Sequence, residues 1–264
     1  MIVRVIVPAV LLAAALVAPS AEAQQFEYTP GTAHYRVTSN IKASQAMMGQ
    51  TSDIEQTGSQ TITMAIARRA KDTLALDITL DSVTSGGTMG PAQGIEKMNG
   101  LKVQAFVSPN GAFYSYRVPS DTSQMAASLA EQIAHMLPRV PTAISKGATW
   151  ADTVSGKVSQ SGIEMTRQII STYMVEGDTT IGGVKAWNVS RKSSATTSGV
   201  GAAQGQPMTL QGTSTGSGHV YLSASGSMLG SDGIEDVQTK ITLTAQGMEV
   251  NVTTHAATTI QKTN

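Results

Sequence analysis

The chain has 264 residues, no Cys, a formal net charge of zero and only 14% charged residues. Without a thiol, disulfides, thiolate metal ligation and redox cysteine chemistry are excluded. Nucleic-acid partners need Lys and Arg massed on one face, and no basic run exceeds Arg68-Arg69 and Arg191-Lys192, each of which reads as the solvated end of a strand.

In chain order, the first segment reads as an export signal. Arg4 supplies the positive start, Val5 to Val17 is almost unbroken apolar sequence, and Ala21-Glu22-Ala23 is a small-x-small cleavage site. The run is too short and wrongly flanked to stay in a membrane as a helix. Cleavage after residue 23 leaves 24–264 as a single β-rich domain, expected to be secreted or periplasmic and not an integral membrane protein. An outer-membrane barrel would want aromatic girdles, and aromatics are only 4% of the chain.

Period-two alternation dominates the mature chain. Tyr35, Val37 and Ile41 mark a strand. Residues 60–82 read as a hairpin, with Ile62, Met64 and Ile66, then Leu74, Leu76, Ile78 and Leu80, on the buried face and Lys71-Asp72 in the turn. Leu101 to Val107 and Phe113 to Val118 flank Ser108-Pro109-Asn110-Gly111, where Pro presets φ and Asn-Gly accepts positive φ. Later strands are expected at 164–176, 184–192, 208–215, 218–225, 237–246 and 248–260. One segment differs: Ser120 to Leu137 spaces Met125, Leu129, Ile133 and Met136 on one helical face, with Ser120 or Asp121 as cap and Pro138 as stop.

The sequence also repeats. Gly90 to Gly94 matches Gly201 to Gly205, Phe106 to Gly111 matches Tyr221 to Gly226, and Gly31 to Tyr35 loosely matches Gly147 to Trp150. Order and spacing are kept, so we read two copies of a unit of roughly 110 residues, at about 31–118 and 147–262, joined by the helix at about 120–137. The expected fold is mainly β: two tandem antiparallel repeats forming a curved sheet, clam or half-barrel, with one helix packed on the concave side.

Motifs of chemistry are weak. Gly212-Thr-Ser214-Thr-Gly216 fits the G-x-S-x-G nucleophile pattern, but that mechanism needs a strand, a sharp turn and a helix; here the flanks read as strands and the segment as a Gly-rich connection. His34, His135, His219 and His255 lack metal-ligand spacing, and His135 is expected to be solvated. Asp232, Glu235 and Asp236 read as an acidic turn around Gly233, without the alternating ligands of a Ca²⁺ loop. No cofactor, metal or catalytic group is expected. Methionine is the notable excess: Met89, Met98 and Met208 sit in or beside Gly-rich connections. With Met125, Leu129 and Ile133 of the helix they are the candidate ligand-contacting residues, because Met adapts to variable apolar surfaces.

The helix ending in Leu137-Pro138, followed by Pro141 and by Gly147-Ala-Thr-Trp150 opening a second β half, resembles a group of uncharacterised exported bacterial proteins. The layout also resembles lipoprotein-carrier-like envelope proteins, in which a curved antiparallel sheet wraps round a helix. That resemblance implies a non-catalytic envelope protein that holds a lipid or other apolar molecule. The alternatives are an envelope module binding a protein partner through a sheet edge or Gly-rich loop, and, more remotely, a hydrolase built from residues distant in sequence.

Overall fold

The computed structural model describes residues 23–47, 50–88, 90, 94–118, 124–160, 163–203, 206–243 and 247–263. The expected export segment up to residue 22, Met89 and the expected helix cap at 120–121 lie outside them. One open antiparallel sheet of eleven strands dominates. In chain order its strands are β2 (Gly31–Met47), β3 (Gln50–Ala70), β4 (Thr73–Gly87), β5 (Lys102–Val107), β6 (Phe113–Arg117), β8 (Thr149–Gln160), β9 (Ile163–Ile181), β10 (Val184–Ala203), β11 (Gln206–Ser223), β12 (Met228–Leu243) and β13 (Met248–Thr263). Two-residue strands β1 (Gln24–Gln25) and β7 (Ala143–Ile144) pair separately, and one helix, α1, spans Gln124–Ala134.

The spatial order is β6-β5-β4-β3-β2-β13-β12-β11-β10-β9-β8. Two consecutive meanders are therefore joined where β2 pairs with β13, from Asn251↔Ala46 to Thr263↔His34. In the sheet order β5 and β8 stand nine spacings apart, about 43 Å in a flat sheet, yet α1 contacts both. A helix is only about 10–12 Å across, so the sheet curves until its two ends nearly meet and α1 fills the seam. Phe113 on β6 lies 4.0 Å from the His135 ring, and Trp150 on β8 donates its Nε1–H to the Arg139 carbonyl at 2.8 Å.

Several strands differ from the sequence reading. The two strands expected at 208–215 and 218–225 are one strand, β11, and β10 runs on to Ala203 rather than ending at 192. The acidic turn around Gly233 is the middle of β12. The 21-residue β3 spans about 70 Å at about 3.3 Å per residue. Small Gly, Ser and Thr side chains hide strands of this length, because they give no apolar alternation to read. The helix is also shorter than expected, stopping at Ala134 ahead of Pro138.

The core is confined to one end of these strands. Ile62, Met64, Leu74, Leu76, Leu80, Ala105, Val189 and Leu222 are almost wholly buried there, together with Ala130, Ile133 and Ala134 of α1. Across this end runs the N-terminal strap. Phe26 N–H donates to the Thr142 carbonyl at 2.9 Å, Tyr28 N–H to Pro109 at 2.7 Å and Thr29 N–H to Gly226 at 3.0 Å. Tyr28, its ring edge-on to that of Phe26, donates its hydroxyl to the Pro138 carbonyl at 2.9 Å.

Two turns of matching geometry grip the strap. In the first, Ser108 N–H donates to the Ala112 carbonyl, Gly111 N–H to the Ser108 carbonyl, and Ala112 N–H to Ser108 Oγ. In the second, Ser223, Gly226 and Ser227 make the same three bonds. The sequence match of Phe106–Gly111 with Tyr221–Gly226 falls on these turns. Gly111 and Gly226 have φ of 85° and 80°, and a β-carbon there would meet the Pro138 and Glu27 carbonyl oxygens at 2.5 and 2.0 Å. Gly147 has φ of 82° but open space around it. We therefore expect Gly111→Ala and Gly226→Ala each to cost about 3 kcal/mol or more in denaturant unfolding, and Gly147→Ala only the backbone cost of about 1–2 kcal/mol. Equal losses at all three positions would contradict the grip.

Candidate functional site: the inner face of the sheet

Directly paired residues of antiparallel strands share a face, so the registers assign every position to the inner, core-bearing face or the outer one. Above the aromatic core the inner face is banded. The first row beyond the buried valines holds Tyr173, Arg191, Gly218, Gly233, Thr258 and Ser39. The next holds Asp152, Ser171, Ser193, Gly216, Glu235 and Ala256. Farther along, Val154, Ile169, Ala195, Ser214 and Val237 form a row, then Arg167, Thr197, Gly212 and Thr239. At the distal end Met165, Leu210, Ile241 and Val250 return to apolar character. Most of these distal side chains are half-buried, alternating with exposed outer neighbours such as Gln168, Thr196 and Gln238.

Ionic groups on this face are mostly paired. Arg167 Nη2 donates to Glu235 Oε1 at 3.1 Å, and Ser214 Oγ–H to the same oxygen at 2.7 Å. Asp152 lies 3.9 Å from Arg139. Glu131 reaches from α1 toward Gly156, where burial raises its carboxyl above the ordinary range and the Arg167 charge partly offsets that. Tyr173 stacks on Trp150 at 5.1 Å, and burial raises its hydroxyl against the opposing charge of Arg191. Arg191 itself, half-buried, has neither hydrogen bond nor ion pair among the described residues. It is mid-strand on the inner face, not the solvated strand end its sequence suggested.

Ser214 is no nucleophile elbow. It sits inside β11 with strand on both sides, and His219, of opposite parity, faces the other way. The outer face carries its own polar group: Tyr221 donates to Asp232 Oδ2 at 2.7 Å, and His219 contacts Asp232 at 3.3 Å and Glu176 at 3.7 Å. Asn188 Nδ2 donates to Glu176 at 2.9 Å, while its buried Oδ1 lacks a partner among the described residues. These residues come from four strands, so only strand register brings them together; no spacing in the sequence could reveal it. No group of three or more His, Asp or Glu suited to a metal ion occurs among the described residues.

The sequence-nominated contact residues do not converge. Met98 and Ile133 belong to the packed core, and Leu129 packs against it. Met208 is buried on the inner face of β11, outside that core. Met125 lies in α1, its side chain outside the described residues. Two open depressions of about 600 and 680 Å³ lie over β8–β11 and over β10–β13, not between sheet and helix, and outer-face residues such as Thr166, Ser198 and Gln211, or Thr213, Gln238 and Lys240, make up most of their lining.

The class this fold defines is a strongly curved, open antiparallel sheet with one helix across its seam. No family model matches the chain, and no curated protein matches it. Among solved structures, a crystal structure of a DUF1329 family protein from Desulfovibrio piger aligns over 87% of this chain and 84% of that one, at 10% identity and a TM-score of 0.20. No helix among the described residues is long and apolar enough to cross a membrane.

His135 offers a test of the seam. It is half-buried against Phe113 rather than solvated as expected, because the residue following α1 packs its ring on the Phe113 ring of β6. Burial pushes its imidazole below the ordinary value of 6.5, with Asp152 partly offsetting this. The fold therefore favours the neutral ring. Its contribution is complete above about pH 6.5 and is lost as pH falls below that value. Thermal unfolding between about pH 7.5 and 5 should show a drop in Tm that flattens in His135→Phe; an unchanged slope would contradict the burial.

Proposed function

We propose that the chain is a non-catalytic exported envelope protein that holds an apolar, amphiphilic ligand along the inner face of its sheet. The observation that carries this reading is the distal inner face, where Ile54, Ile169, Leu210, Val237, Ile241 and Val252 are half-buried while the core is packed only at the other end. Apolar side chains left partly open on one curved face favour an apolar occupant. Of the nominated residues, Met208 belongs to this surface. The Arg4 to Ala23 segment and the cysteine-free composition support export. We read the halves as copies of one unit, supported by the two matching turns and the β2–β13 joint. An envelope partner adding a strand at β8 is the second reading, favoured by that strand's unpaired edge among the described residues.

Native mass spectrometry of protein purified from its own envelope, followed by solvent extraction, tests the first reading and should release an amphiphile. A neutral apolar fluorophore should bind the stripped protein, about tenfold more weakly after Val237→Glu or Leu210→Glu. Gln238→Glu, on the outer face, should change nothing. No released molecule and equal probe binding by all variants would sink the reading.

A further inference from the structure

Arg191 is the surplus charge of the inner face. Arg167 is taken by Glu235, and Asp152 faces Arg139. Arg191 has no such partner among the described residues and extends over two glycines: a β-carbon on Gly233 would lie 3.5 Å from its Nη2, and Gly218 is its direct partner on β11. The space over Gly218 and Gly233 beside the guanidinium is thus kept free of side chains, with Thr258 and Ser39 farther along the same row. A half-buried guanidinium without an acceptor is costly, and a carboxylate or phosphate satisfies it with charge-assisted bonds. Asp152 and Glu235 lie one row farther along and Glu131 reaches from α1 to Gly156 beyond them, so the positive site is at the inner end, and the half-buried apolar rows begin beyond it.

Resting on the proposed apolar-ligand reading, we infer that Arg191 seats the anionic head of the amphiphile, whose tail runs outward along Ile169, Val237 and Leu210. The stretch of β10 from Arg191 to Gly199 gives that path a length of about 27 Å, enough for a long single chain. The ligand class is then a fatty acid or an alkyl phosphate rather than a neutral lipid.

Titration calorimetry with dodecanoate, dodecanol and acetate tests this on the full mature chain. Dodecanoate should bind about tenfold or more tightly than dodecanol. Arg191→Gln should erase that preference without weakening dodecanol, and Arg191→Lys should restore part of it. Acetate should bind far more weakly than dodecanoate. Equal affinity for dodecanoate and dodecanol, or a preference that survives Arg191→Gln, overturns the head-group assignment while leaving the apolar reading intact. Acetate binding as tightly as dodecanoate overturns the tail path. If neither twelve-carbon ligand binds, the apolar reading and the inference fail together. Matching thermal unfolding of the variants excludes loss of fold as the cause.

Discussion

The structure depends on the strap at Phe26–Thr29. Strands of up to 21 residues carry a strong intrinsic twist and would splay without something to gather their ends. The strap does this by bonding to both meanders at once, through Pro109 on one side and Gly226 on the other, with Tyr28 and Phe26 buried between. Tyr28 is fully enclosed, so burial holds its hydroxyl well above the usual tyrosine range and leaves it a pure donor to Pro138. Tyr35, raised to about 12 by burial, likewise donates to Met228. Two tyrosines with satisfied hydroxyls bring large apolar area into the core without an unpaired polar atom.

Chain composition separates the two ends of the sheet. All eleven aromatic residues (three Phe, six Tyr and two Trp) fall in the strap, in β6, near the starts of β2 and β8, or where β5, β9, β10 and β11 enter the core. The distal lengths of β9 to β13 carry no aromatic residue, and their inner face is built mainly from Thr, Ser, Gly, Ala and aliphatic residues. One end therefore fills solidly, while the other keeps a curved inner surface that its own side chains are too small to fill. Close packing at the first end lets the second stay open within the same sheet.

Legibility in the sequence divides along the same line. The hairpin of Ile62, Met64, Leu74, Leu76, Ile78 and Leu80 could be read directly, because one face is fully buried and the other wet. The helix around Leu129 and Ile133 was legible for the same reason, as was the turn at Gly111. The long distal strands were not: Gly212 to Gly218 looks like a connection because a half-open inner face demands no alternation of large apolar residues. The polar groups of the inner face were hidden as well. Arg191 looks like a strand terminus beside Lys192, and only the register that sets it opposite Tyr173 and Gly218 turns it inward. Methionine misled in the other direction: Met98 serves as core filler, an ordinary use of a flexible side chain.

The central claim is that the distal inner face is an open surface and not a closed core. Because the chain has no cysteine, single thiols report it cleanly. Thr254→Cys on the inner face, Thr253→Cys on the outer face and Ala105→Cys in the core should be treated with a small maleimide under native conditions. The thiols at 253 and 254 should react, the one at 105 should stay inert, and an apolar amphiphile should protect 254 alone. A thiol at 254 as inert as that at 105 would contradict the claim.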